Sequence, residues 1–350
     1  MIKITRDNIT EYLLANNLVD VGEEFSIEPI GGFWGGMGVS STLIRVIGTT
    51  NRFVLKQPLA ELAVKDYWPC ETNRIKNEKN CIEALAILIG PEQVPKILFF
   101  DSENDILVME LITTDWQLWK TQLLDGITDD TVGRKAGELI ATIHNKTYHS
   151  ESIQEQFSDV SIFRQLRIDP YYKTTAERNP DIAETIEMEL QRVLNSRSCL
   201  VLGDFSPKNI FTRDGAIILL DHEIAHYGDP TVDFSFCLNH LLLKYVHLSL
   251  LLGEIQSRYL QVARTYCRAY IDTVEFCDAS TMNRLAIPNL GCFMLARIDG
   301  KSPVEYITSE HARAVVRQIS KNILRSEYGT LGEVFDMIGD KLRVALGAGA

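Results

Sequence analysis

Three oxygen-bearing side chains stand close together in the second half of the chain. In the loop LGDFSPKN, Asp204 and Asn209 are five residues apart, and Asp221 follows seventeen residues after Asp204, at the end of the apolar run AIILLD. Two short apolar runs flank Asp214-Gly215, a dipeptide that favours a two-residue hairpin turn, so a hairpin can carry all three side chains to one end. Such donors suit magnesium, which takes hard oxygen ligands from one or two protein groups and fills its octahedron with phosphates and water. Asn209 and Asp221 fit that role, and Asp204 is left to accept a proton from an attacking hydroxyl. Lys208, next to Asn209, is either a cation for a transferring phosphoryl group or a solvated loop lysine.

The N-terminal third supplies what a nucleotide would need. Gly31, Gly32, Gly35, Gly36 and Gly38 lie between two strand-like runs, where missing Cβ atoms let backbone amides approach phosphates. Downstream, FVLK ends in Lys56, a cation on an apolar strand that needs a partner. Glu78 is the expected one, because it shares a helical face with Ile75, Ile82 and Leu85; Glu83 is the fallback and points away from that face.

These groups need elements to hold them. After an opening helix capped by Thr5 or Asp7, the runs EFSIEPI, STLIRVI and RFVLK predict three antiparallel strands, with the glycines in the first turn. The spacing over 71–89 predicts an amphipathic helix, followed by strands KILFF and ILVMELI. Five strands with one inserted helix make a lobe over residues 1–112. Helical periodicity then dominates 113–350, as in DDTVGRKAGELIATIHNKT and DIAETIEMELQRVLNS, each opening on an Asp or Thr suited to capping. The fold class is α+β: an antiparallel five-stranded sheet, then a mainly helical lobe.

With 350 residues, the chain is long enough for two such lobes, and its net charge of −12 opposes a nucleic-acid surface. Up to Ile112 there are 10 basic and 16 acidic residues, and beyond it 25 and 31, so the acidity is shared equally. It leans toward a neutral or cationic ligand over a second anion. The seven cysteines contain no CxxC pair, which predicts free thiols in a reducing, cytoplasmic setting. The richest apolar stretch, CLNHLLLKYVHLSLLLG, carries His240, Lys244 and His247 and reads as a buried helix instead of a membrane span. His222, Glu223 and His226 spell HExxH, the pattern of a zinc metallohydrolase, but a strand-like run precedes it and Gly228-Asp229-Pro230 follows, where a zinc-binding helix would be required.

The order of glycine-rich turn, strand lysine, helix glutamate, LGDFSPKN and LLDHEIAHYGDPTVDF resembles the aminoglycoside phosphotransferase and choline kinase family of the protein-kinase-like fold, which includes methylthioribose kinases. The family pattern HGDxxxxN, then (I/L)D, then GDPxxD is met at Gly203, Asp204, Asn209, Asp221, Gly228, Asp229, Pro230 and Asp233. The resemblance implies an ATP- and Mg2+-dependent kinase acting on a small-molecule hydroxyl. Asp204 would be the catalytic base, Asn209 and Asp221 the magnesium ligands, Lys56 the phosphate anchor and Glu78 its partner. Gly35, Gly36 and Gly38 would cover phosphates, and Glu110 to Ile112 would meet adenine. Two departures stand out: Leu202 replaces the family histidine, and the glycines do not spell GxGxxG. They motivate a second reading, a nucleotide-binding pseudokinase module. The acceptor's identity and the oligomeric state stay open.

Overall fold

The computed structural model describes residues 2–30, 40–49 and 51–347. The chain divides into two compact units, Met1–Asp115 with Leu220–Ile224, and Trp116–Leu219 with Ala225–Ala350.

In the first unit, α1 (Ile9–Ala15) precedes β1 (Phe25–Pro29), β2 (Ser41–Gly48) and β3 (Arg52–Pro58); α2 (Arg74–Ile89), β4 (Ile97–Asp101) and β5 (Ile106–Glu110) follow. The strands form one antiparallel sheet in the order β1-β2-β3-β5-β4. Alternation along β3 assigns its two faces. Phe53 and Leu55 join Ile44, Val46, Ile106 and Val108 in a core with Ile9, Tyr12 and Leu13 of α1. Lys56 points the other way. On α2, Ile75, Glu78, Ile82 and Leu85 are buried, as their spacing predicts, and Glu83 turns outward to pair with Lys79 at 2.7 Å. The α1 cap differs from expectation. Asn8, and neither Thr5 nor Asp7, is the N-cap, and its Oδ1 accepts from the Thr5 amide at 2.8 Å.

The second unit runs β6 (Gln117–Leu118), α3 (Trp119–Leu124), α4 (Asp130–Thr147), α5 (Glu151–Gln156), α6 (Ser161–Phe163), a π-helical segment Arg164–Lys173, α7 (Thr174–Arg178) and α8 (Ala183–Asn195). Then come β7 (Cys199–Val201), β8 (Ile210–Arg213), β9 (Ala216–Leu219), β10 (His226–Gly228), α9 (Thr231–Leu252), α10 (Ser257–Thr273), α11 (Ala279–Asp299), α12 (Glu310–Arg325) and α13 (Leu331–Ala345). The hairpin β8–β9 turns at Asp214 and Gly215, with φ of 50° and 75°, the left-handed pair that a two-residue hairpin demands. The Asp129 side chain caps α4. By contrast α8 starts without a side-chain cap, because Asp181 instead accepts from Lys321 at 2.7 Å. The helix α9 is long and apolar enough to cross a membrane, yet 78% of its most apolar stretch is buried inside the protein.

Candidate active site

Lys56, on the face of β3 opposite the α1 core, is 5% exposed. Its Nζ lies 2.6 Å from Glu78 Oε2, 2.7 Å from Asp221 Oδ1 and 3.8 Å from Glu223 Oε2. Burial opposes the ammonium's charge, but the three carboxylates outweigh it and hold Lys56 above its ordinary value. Burial also pushes Glu78 up to about 7, with Asp221 and Glu223 adding to it and Lys56 opposing. One cation thus faces three acids whose ligand atoms all lie within 4.8 Å of one another.

Two of those acids are fixed. Glu223 accepts from the fully buried Arg74 Nε at 3.1 Å, and Glu78 is enclosed on α2. Asp221 differs, with a side chain 26% exposed and a backbone φ of 62°, a left-handed conformation uncommon outside glycine. The hairpin that leads to it forms as expected, but Leu220–Ile224 pack with the strand-rich unit. At the end of β5, the Glu110 amide donates to the Lys96 carbonyl at 2.9 Å and is occupied by the sheet. The backbone groups of Ile112, two residues on, make no hydrogen bond among the described residues. Gly35, Gly36 and Gly38 lie outside the described residues.

In the helical unit the loop after β7 is buried. Asp204 is 5% exposed and both its oxygens carry cations: Arg167 Nη2 lies 2.8 Å from Oδ1, and Lys208 Nζ 2.7 Å from Oδ2. Arg167 also donates through Nε to the Gly203 carbonyl at 2.8 Å. Asn209 Nδ2 donates to the Asp204 carbonyl at 3.0 Å, so its oxygen is the atom that could hold a metal. Gly203, with φ of 75°, supplies the sharp turn.

Asp233, matched above only as a position of the family pattern, braces this loop: its carboxylate accepts from the Leu202 amide at 2.7 Å and the Gly203 amide at 2.8 Å. His144 approaches the same carboxylate at 3.4 Å and the Tyr270 hydroxyl at 2.8 Å. Asp229 fixes the start of α9 by accepting from the Thr231 amide at 2.8 Å and pairs with Arg192 at 2.6 Å. Sequence reasoning overlooked Arg167, Arg74 and the pairing of Glu223; an arginine beside apolar neighbours was the only available signal for the first two.

The HExxH pattern takes no helix. Residues 221–225 are irregular, and His226 sits in β10 with its ring stacked on Phe163 at 3.9 Å. The zinc metallohydrolase reading fails because Glu223 is held by Arg74 and Lys56 and the helical turn between the histidines does not exist.

A family model described as "Phosphotransferase enzyme family" matches residues 36–267. The chain belongs to that family. Among curated relatives of this family member, it is 23% identical over 222 residues to methylthioribose kinase of Cronobacter sakazakii, covering 56% of this chain and 55% of that one. It is 24% identical over 212 residues to 4-hydroxytryptamine kinase of Psilocybe cyanescens, covering 53% and 56%. The chain spans just over half the length of these relatives. The structure of APH(2")-IIa with streptomycin and ATP is similar in fold, with a TM-score of 0.50 at 16% identity over 96% of this chain and 99% of that one. The expected protein-kinase-like α+β fold is the one observed.

Proposed function

We propose that the protein transfers the γ-phosphoryl group of ATP to a hydroxyl of a small molecule, with magnesium as the metal. The arrangement around Lys56 carries this reading. A purely structural lysine needs one carboxylate, whereas Lys56 has Glu78 and Asp221 within 2.7 Å and Glu223 at 3.8 Å. Counting Arg74 beside Glu223, three carboxylates still face only two cations, and that excess of negative charge favours a further cation. Each donor by itself suits magnesium: Asp221 offers a carboxylate that is 26% exposed, and Asn209 an amide oxygen. When bound, the metal would offset phosphate charge.

The remaining chemistry belongs to the side chains. Lys56, oriented by Glu78, would anchor the α and β phosphates, and Ile112 would offer its backbone to adenine beside Glu110. Asp204 would take the proton of the attacking hydroxyl, oriented by Arg167. Lys208, 40% exposed and ion-paired to Asp204, can turn to the transferring phosphoryl group. We also place the protein in the cytoplasm, since its seven cysteines are free thiols.

Leu202 does not favour a pseudokinase. The loop is gripped through the Leu202 main-chain amide by Asp233, a contact that any non-proline residue provides. An ADP-release screen of hydroxyl compounds with magnesium and ATP tests the reading. Stimulation by at least one compound is expected; ATP binding with no release across a broad panel would make the protein a nucleotide-binding module.

A further inference from the structure

The helical unit buries a second group of charges that the phosphoryl chemistry leaves unused. Lys244 on α9 is 1% exposed; its ammonium donates to the His240 carbonyl at 3.2 Å and lies 5.3 Å from the centre of the Tyr306 ring. Among the described residues no carboxylate pairs with it. Arg297 on α11, also buried, donates through Nη1 to Tyr171 Oη at 2.8 Å and Ser302 Oγ at 2.9 Å. It too has no ion pair among the described residues, and its Nε has no acceptor. Beside them, His240 Nε2 and the Tyr306 hydroxyl are buried without hydrogen-bond partners among those residues. Glu305, whose field reaches Lys244 and Arg297, is itself paired with Lys120.

This group is joined to the proposed base through packed side chains. Arg167, on Asp204, lies over the rings of Tyr171 and Phe236 at 5.0 and 4.9 Å. Tyr171 takes the hydrogen bond of Arg297, and Phe236 meets His240 edge-on at 5.0 Å, one helical turn before Lys244.

Interior cations without counter-ions cost stability, and unpaired imidazole and hydroxyl atoms add to that cost. A protein that keeps several of them together gains something else from the arrangement. A point cation, a guanidinium and neutral polar groups gathered in one region match an oxyanion. Burial, helped by Lys120 and Arg297 and opposed by Cys237 and Glu305, brings Lys244 down to about 7, so an arriving anion would also restore its charge.

We infer that the hydroxyl compound phosphorylated by this protein carries an oxyanion, a carboxylate or a phosphate, received by Lys244 and Arg297 with His240 and Tyr306 as neutral partners. The inference rests on the phosphotransfer reading. It replaces the neutral or cationic acceptor expected from the overall charge of −12, because a total summed over the surface does not describe a buried group of like sign.

The test is an ADP-release assay with magnesium and ATP on three acceptor sets: hydroxy acids, sugar phosphates, and matched neutral polyols and amino alcohols. One of the first two sets should exceed the third by at least tenfold in kcat/KM, and which one identifies the oxyanion. Lys244→Met should raise that acceptor's KM at least tenfold with the KM for ATP unchanged, and Lys244→Arg should restore it to within a few-fold. Preference for the neutral or cationic set, or an unchanged acceptor KM in Lys244→Met, overturns the inference while the kinase reading stands. If no compound is turned over, thermal shifts of the nucleotide-free protein with the same sets decide. Stabilisation by an oxyanion that Lys244→Met abolishes supports the subsite without the kinase; no stabilisation by any oxyanion overturns the subsite as well.

Discussion

Around Lys56, one ammonium is surrounded by three carboxylates. Around Lys244 the balance is reversed: among the described residues two buried cations lack ion pairs, and neutral atoms beside them lack hydrogen bonds. The first region has negative charge to spare and suits a divalent metal with its nucleotide; the second has positive charge to spare and suits an anion. Equal net charges in the two parts of the sequence conceal this opposition. Function depends on local imbalance, because weakly screening protein leaves Coulomb energies between buried neighbours large, whereas charges spread over the surface are screened by water and salt.

The contrast can be broken in several places. The largest effect is expected at Asp204, where Asp204→Asn should lower turnover by about 10²-fold or more, the scale for a lost general base, while ATP still binds. Near-normal turnover would remove Asp204 from the chemistry. Asp221→Ala should next abolish the magnesium dependence of nucleotide binding, read by calorimetry with and without the metal; unchanged affinity in magnesium would place the metal elsewhere. Asp233→Ala strips two buried amides of their carboxylate and should cost about 3 kcal/mol in denaturant unfolding, the scale for hydrogen bonds to a buried charge.

The smallest effect separates the second region from the first by sign. Lys244→Met should stabilise the protein by about 1 kcal/mol at pH 7 or below, because it removes a buried cation without a counter-ion. Lys244 faces Lys120, Arg297, Glu305, Cys237 and His240. Its value is lowered from 10.5 to about 7, so between those limits the folded state holds fewer protons than the unfolded one, and stability rises with pH. The gain from Lys244→Met should therefore be full below pH 7 and fade toward pH 10.5. A thermal-melt series showing no pH dependence would remove the buried, depressed lysine from the comparison.

Much of the strand-rich unit was legible in the sequence. Short apolar runs bounded by turn residues gave the five strands, and helical spacing gave the burial of Ile75, Glu78, Ile82 and Leu85. The Asp214-Gly215 hairpin follows from two residues that tolerate positive φ. Capping was read less well, since Thr5, Asp7 and Asp181 all have the right chemistry, while the backbone position falls to Asn8 or to no side chain. Asp233 was legible as a polar residue near a turn but not as the anchor of Leu202 and Gly203, which lie 31 and 30 residues away in sequence.

The sequence alone determined the family, the order of elements and the donors available for metal and proton chemistry, because side-chain types and short spacings suffice for these. Only the tertiary structure decided which charges compensate one another. The Lys56–Asp221 contact spans 165 residues, and the group at Lys244 draws on α9, α11 and the segments holding Tyr171 and Tyr306. Helical periodicity assigns a residue to a face of its own helix, but the surplus or deficit of charge around it is set by whichever distant segment packs there.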